Sequence, residues 1–179
     1  MKKILSALLA LTMLLSLAAC GSKDQQPDQS AKPDASQGEN SQKPVDLKAF
    51  YEGYMEQMLQ DKGEENTPQM AELEGEMMDF LYPGLKELPC KQLVAYSPVM
   101  SSVAFELVLV EAEDADAAEA VKALFEEQRE YQISEGAWYP ATVEVWENSQ
   151  VVQHGNYVAL IATGEEQVKT VEAYNALFQ

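Results

Sequence analysis

The sequence predicts an α+β domain, an antiparallel four-stranded sheet with packed helices, preceded by two N-terminal helices, a secretory signal and a disordered tether. Three observations predict this class. Residues 103–111 are almost continuously apolar, as in a central strand. Two apolar stretches, 151–153 and 157–163, flank His154-Gly155-Asn156, a pattern typical of a hairpin. Segments of helical periodicity stand before, between and after these strands, as in α+β domains.

The first 20 residues have the order of a secretory signal. A basic start, Met1-Lys2-Lys3, is followed by an apolar run from Ile4 to Ala19. That run has 16 residues, fewer than the roughly 20 that a membrane-spanning helix needs. It ends in Leu17-Ala18-Ala19-Cys20, which resembles the lipobox of bacterial lipoproteins. The resemblance implies a lipoprotein signal peptide over residues 1–19 and a lipid on the Cys20 thiol.

Residues 20–44 have the composition of a tether. Positions 21–44 hold no Val, Ile, Leu, Met, Phe, Tyr or Trp, so this stretch cannot bury enough apolar surface to offset its ordering entropy. We therefore expect a disordered linker, followed by a single extracytoplasmic α+β domain over residues 45–179. The lipid would hold this domain at the extracytoplasmic face of the cell membrane.

The charge balance narrows the class of partner. Residues 20–179 hold all 30 acidic side chains and all but two of the 12 basic ones, a formal charge of −20. Binding to nucleic acid rests on Lys and Arg that neutralise phosphates, so we expect no nucleic-acid partner. The charge allows a cationic partner or divalent ions, although solubility through self-repulsion accounts for it as well. The identity of the protein or small-molecule partner stays open.

Two helices are predicted at the start of the domain. Asp46 is suited to be the N-cap of the first helix. Thr67 and Pro68, a cap followed by an N1 proline, begin the second helix, which stops at Tyr82-Pro83-Gly84. Apolar residues recur at helical spacing in both segments: Leu47, Phe50, Tyr51, Tyr54, Met55 and Met58, then Met70, Leu73, Met77, Phe80 and Leu81.

A strand and a helix are predicted on either side of the apolar run. The strand is short, Gln92 to Tyr96, and Ser97-Pro98 breaks its ladder. The helix covers about residues 117–133. It follows an acidic stretch, and Asp116 with Glu119 forms a variant of the capping box.

The segment at 139–147 has two interpretations. Val143 and Val145 alternate as in a strand, whereas Tyr139-Pro140 is suited to open a short helix. A last helix is predicted over about residues 165–178, because apolar residues recur there at helical spacing.

The chain resembles a family of uncharacterised Gram-positive lipoproteins, a domain of unknown function. The resemblance covers about residues 46–179, and the family has no established activity that it would imply. It rests on the order of several loose motifs: the lipobox and tether, Glu106 entering the long strand, the acidic helix start with Ala120-Val121, the late Arg129, Tyr139-Pro140, and Gly155-Asn156-Tyr157.

The predicted third helix carries the candidate ligand pocket. Its apolar stripe, Ala117, Val121, Leu124 and Phe125, continues at 3.6 residues per turn into Gln128 and Gln132, with Arg129 on the flank. Buried amides and a guanidinium need partners. Either this helix end projects into water, or Gln128, Arg129 and Gln132 line a polar pocket near Trp138 and Tyr139. Glu126, one turn earlier, is the simplest ion-pair partner for Arg129.

Other side chains are read as structural. The acidic run at 111–116 is typical of a helix start and lacks the glycine and glutamate of a calcium loop. Cys90 has no disulfide partner once Cys20 is acylated. We therefore expect Cys90 to be a small, buried hydrophobic residue. The methionines are expected in the core, as are most aromatic side chains, although a groove for sugar or peptide is the alternative.

No catalytic or zinc motif follows Cys20, so we expect a protein without a cofactor that is not an enzyme. The sequence favours a lipid-anchored, non-enzymatic binding or accessory module at the cell surface. The alternative is a domain that binds or senses divalent cations.

Overall fold

The computed structural model describes residues 44–100 and 102–179. The predicted signal peptide, the lipidated Cys20 and the tether up to residue 43 lie outside the described residues. The described residues form five α-helices and one five-stranded antiparallel sheet. The helices are α1 (Leu47–Lys62), α2 (Gly75–Leu81), α3 (Ala115–Tyr131), α4 (Pro140–Glu147) and α5 (Gln167–Ala176). The strands are β1 (Met70–Glu72), β2 (Cys90–Pro98), β3 (Glu106–Ala112), β4 (Gln150–His154) and β5 (Tyr157–Ala162).

The long apolar strand lies at the centre of the sheet. The strand order is β1-β2-β3-β5-β4, and every neighbouring pair is antiparallel. Residues 107–110 of β3 are completely buried, which confirms the central strand, although it begins at Glu106 rather than at residue 103. β4 and β5 form the predicted hairpin, where Gly155 takes a φ of 59° that side chains disfavour.

The prediction of four strands is wrong because β1 adds a fifth at the sheet edge. The apolar spacing from Met70 predicts a helix beginning at Thr67-Pro68, but this segment pairs with β2 instead. The N–H of Leu73 continues the pairing by donating to the carbonyl of Ala95 at 2.9 Å. Only at Gly75, with a φ of 53°, does the chain turn into α2. Pairing with β2 therefore outweighs the local helical spacing.

The strand β2 is longer than predicted because Pro98 does not interrupt it. Pro98 is its last residue and lies opposite Met70 of β1. A proline lacks an N–H and cannot donate to a neighbouring strand, but at the end of a strand this does not interrupt the hydrogen bonds of the residues before it. Ser97 and Pro98 therefore still pair with β1, whereas the pairing of β2 with β3 ends at Tyr96.

Helices cover both faces of the sheet, since side chains alternate along each strand. On β3, Val108 and Val110 pack with α2, α3 and α4, whereas Leu107 and Leu109 pack with α1 and α5. Glu106 is two residues before Val108 and therefore lies on the same face of β3. Its acidic side chain faces the layer of α2, α3 and α4.

The helix starts are set by two aspartates. Asp46 caps α1 as predicted, since its Oδ1 accepts from the N–H of Ala49 at 2.9 Å. The cap of α3 is Asp114, whose Oδ1 accepts from Ala117 N–H at 2.9 Å, and not Asp116. The helix begins two residues earlier than predicted. The reason is that Asp114 has an extended backbone, and its carboxylate accepts the N–H of Ala117 in the first turn of α3.

The ambiguous segment at 139–147 is helical. Pro140 occupies the first turn of α4, and Trp146 is buried against the core. A π-helical turn, Gln132–Gly136, connects α3 to the approach of α4. The last predicted helix is confirmed as α5. Cys90 is half-buried and packs against the core, and its thiol is free.

Candidate functional site

A cleft of about 810 Å³ opens between the β1 edge of the sheet and α4. We call it the Glu106 cleft. Its lining is mostly apolar and aromatic, and it includes Leu73, Met77, Leu81, Pro98, Val99, Phe105, Trp138, Tyr139 and Trp146. Glu72 and Glu106 are the charged members of the described lining, which contains no Lys or Arg. The cleft is therefore an apolar space with two acidic groups.

Glu106 lies at the buried side of this cleft. It is only 7% exposed, and the hydroxyl of Tyr82 donates to its Oε2. Tyr82, at the end of α2, is completely buried and meets the ring of Phe125 edge-on at a centroid distance of 6.0 Å. The sequence of β3 thus places an acid where its neighbours on the same face are valines, and α2 supplies one donor to it.

Burial raises the pKa of Glu106 from 4.5 to about 7, although the hydrogen bond from Tyr82 acts in the opposite direction. The cause is the loss of water around the charged form. Burial and the neighbouring Glu106 also hold the pKa of Tyr82 well above its ordinary value, so Tyr82 stays a neutral donor. The carboxyl group of Glu106 changes charge near neutral pH.

The second carboxyl oxygen of Glu106, Oε1, has no hydrogen-bond partner among the residues that the structure describes. Among the described hydrogen bonds none reaches Oε1, and no described ion pair involves this residue. A buried carboxylate is stable when its oxygens are bonded and its charge is paired. Because Glu106 lines the cleft, Oε1 is the oxygen available to a molecule bound there.

Exposed aromatic side chains form the rim of the cleft. Trp138 is 88% exposed and Tyr139 is 59% exposed, so these two do not belong to the core. Their backbone is fixed, because the Tyr139 carbonyl accepts from both the N–H and the hydroxyl of Thr142 at 2.9 and 2.8 Å. Tyr51, Trp146 and Tyr157 are buried, in agreement with the expectation for aromatic side chains.

The structure separates the four predicted pocket residues. Gln132 and Tyr139 line the Glu106 cleft, whereas Gln128 and Arg129 do not. Gln128 is one of the buried residues of α3 and is 8% exposed. The polar end of the α3 stripe therefore predicted the neighbourhood of the cleft, although only its last member reaches it. Whether these residues bind a ligand stays a prediction.

Arg129 holds the end of α4. Its Nε donates to the carbonyl and the hydroxyl of Ser149 at 3.1 and 3.0 Å, and its Nη2 donates to the Glu147 carbonyl at 3.0 Å. No ion pair with Glu126 is present among the described residues. The reason is that the open carbonyls at the C-terminus of α4 lie within reach and match the fixed donors of a guanidinium.

Sequence reasoning missed the role of Glu106 and Tyr82. The available signal was a single acid in the stretch Phe105–Val110, at the alternation of two buried valines. Tyr82 gave no such signal, because it stands in a turn motif, Tyr82-Pro83-Gly84, that equally predicts a helix end.

The described residues show neither a metal-binding cluster nor a membrane-spanning helix. Within residues 44–100 and 102–179, no three His, Cys, Asp or Glu side chains are grouped so that they could hold a metal ion. None of the helices described there has both the length and the apolar character that crossing a bilayer requires. The divalent-cation alternative stays a prediction.

Comparison with known proteins gives one match. A family model described as a domain of unknown function (DUF4358) matches residues 62–163, more than half of the chain. The matched range includes β1, all of the sheet and every residue that lines the Glu106 cleft. No curated protein and no solved structure gives a significant match.

Proposed function

The chain belongs to the DUF4358 family, a domain of unknown function, and from this premise we propose that it is a binding module whose Glu106 cleft takes up a small amphipathic molecule. The module acts without catalysis, by holding its ligand. The observation that carries the proposal is the cleft of about 810 Å³ with its rim of exposed aromatic side chains.

The size and lining of the cleft support this function. Ligand sites have volumes of about 300–1,000 Å³, apolar and aromatic walls, and a few polar groups that fix orientation. The Glu106 cleft combines such walls with Glu106, Gln132 and Thr142. Trp138 is 88% exposed, and covering its indole with a ligand removes apolar surface from water, which favours binding.

We also propose a location for this module. It is a lipoprotein of Gram-positive type, anchored through Cys20 to the cell membrane and carried by the tether on the extracytoplasmic face. The support is the Leu17-Ala18-Ala19-Cys20 run behind a short apolar segment, and a stretch at 21–44 without Val, Ile, Leu, Met, Phe, Tyr or Trp. A tether of this length lets the module reach a ligand beyond the lipid surface.

The binding proposal is tested with Nile red, an uncharged apolar dye whose fluorescence rises in an apolar site. The protein is the chain from residue 20 with Cys20→Ser, which stays unlipidated. We expect saturable binding that Trp138→Ala weakens by about tenfold, the effect of losing roughly 1.4 kcal/mol of aromatic contact.

The matched control is Phe80→Ala. Phe80 is 77% exposed but does not line the cleft, so its removal should leave the dye affinity unchanged. Equal weakening by Trp138→Ala and Phe80→Ala would mean that the dye adheres to general apolar surface, which would contradict the proposed function.

A further inference from the structure

We propose that the ligand of the Glu106 cleft is an organic cation, an amine with an apolar body, whose ammonium group pairs with Glu106. The inference rests on the proposed function and specifies its ligand class. The positive group would donate to Oε1 of Glu106, while the apolar body lies against the aromatic rim. Three features of the cleft support this ligand class: the unpaired carboxyl oxygen of Glu106, the charge of the lining, and the size of the cleft.

The carboxyl group of Glu106 is nine-tenths buried and only half satisfied. Tyr82 donates to Oε2, whereas no described residue donates to Oε1. Burial raises the pKa of Glu106 because it disfavours the charged form. Among the described ion pairs none includes Glu106. An ammonium group supplies both things that the site lacks, a donor for Oε1 and a positive charge.

The negative charge of the described lining disfavours an anionic ligand. Its charged members are Glu72 and Glu106, and the chain beyond the predicted signal carries a formal charge of −20. This field repels anions and concentrates cations at the cleft.

The volume of the cleft shows that the ligand is more than its charged group. A bare ammonium or a metal ion fills only a small part of about 810 Å³. The walls formed by Leu73, Leu81 and Phe105 are apolar, so the remaining volume favours an aliphatic or aromatic body. These features together define an amphipathic amine.

The test uses three probes that share one carbon skeleton: 4-phenylbutylamine, 4-phenylbutan-1-ol and 4-phenylbutanoate. Each is titrated at pH 8 against the chain from residue 20 with Cys20→Ser, in competition with Nile red. The amine should bind at least about tenfold more tightly than the alcohol, because a charge-assisted bond replaces a neutral one, and the carboxylate should bind most weakly.

Glu106→Gln should remove the preference of the cleft for the amine over the alcohol, because the amide carries no negative charge to pair with the ammonium group. Glu72→Gln is the matched control. Glu72 is an exposed acid of the same lining, and its removal should preserve most of the preference.

The possible failures are distinguishable. If the amine and the alcohol bind the unsubstituted cleft equally, the cation inference is overturned and the binding function stands. If neither Nile red nor any probe binds, the binding function fails and the inference fails with it. This comparison of probes on one protein does not depend on whether Glu106→Gln folds.

Discussion

The hydroxyl of Tyr82 donates to the carboxyl group of Glu106 inside the layer of helices, and this bond connects the end of α2 to the start of β3. Both side chains are buried, and of the two only Glu106 lines the cleft. A buried hydrogen bond to a charged group contributes about 1.5–3 kcal/mol when the charge is present. The strength of this contact between α2 and the sheet therefore depends on the charge state of Glu106.

We predict that Tyr82→Phe destabilises the protein more at high pH than at low pH. The change removes the bond that lowers the pKa of Glu106, so this pKa rises further above about 7. The loss should be about 1 kcal/mol at pH 5.5, where Glu106 is neutral, and about 2–3 kcal/mol at pH 8.5. Urea unfolding at the two pH values measures it, and an equal loss at both would contradict the prediction.

We predict that Glu106 makes the folded state less stable as pH rises. Its pKa is about 7 in the folded state against 4.5 for the ordinary value, so the folded state binds the proton more tightly. Its contribution is fully present below pH 4.5 and is lost as pH rises through about 7. The difference corresponds to roughly 3 kcal/mol.

Glu106→Gln isolates this contribution, because the other acids of the chain titrate equally in both proteins. The free energy of unfolding of the unsubstituted protein, measured relative to Glu106→Gln, should fall between pH 5 and pH 8. Parallel curves for the two proteins would show that Glu106 titrates normally.

Arg129 is predicted to act on stability and not on ligand binding. Arg129→Met removes three hydrogen bonds to Ser149 and Glu147, which should cost about 1–2 kcal/mol, since the side chain is partly exposed. Arg129→Lys should recover little, because an ammonium lacks the fixed fork. Thermal unfolding measures the loss, and Nile red affinity should be unchanged. If Arg129→Met weakened the affinity for Nile red without lowering the stability, the prediction would be contradicted and Arg129 would belong to the ligand site.

The anchoring prediction concerns Cys20. Cys20→Ala in the complete chain should abolish lipid attachment, because the acyl chains are joined through its thiol, and should move the protein out of the membrane fraction. Intact-mass measurement of membrane extracts reports the lipid directly. An unmodified Cys20 in the unsubstituted protein would contradict the prediction.

Local patterns predicted most of the fold, and tertiary contacts decided the rest. The hairpin around Gly155 and the buried stripe of α3 follow from spacing alone, and the structure confirms both. The strand β1 could not be predicted from Met70 and its neighbours, because its pairing with β2 is a contact between distant segments.

The site was predictable only in part for the same reason. The polar end of α3 drew attention to Gln132 and Tyr139, which line the cleft, but also to Arg129, whose partners stand about 20 residues further along the chain. Glu106 was visible as a single acid in an apolar strand. Within the described part of the chain no residue donates to its Oε1, and this depends on how α2 and α4 pack, which no local pattern contains.

The edge position of β1 has a consequence for how a ligand enters. This strand of three residues, Met70–Glu72, supplies one wall of the cleft and is paired with β2 along one side. Short segments bonded on a single side detach with less free energy than the whole protein needs to unfold. We therefore expect β1 to exchange its backbone amide hydrogens faster than the buried central strand β3, and a detached β1 would leave the cleft with a wider mouth.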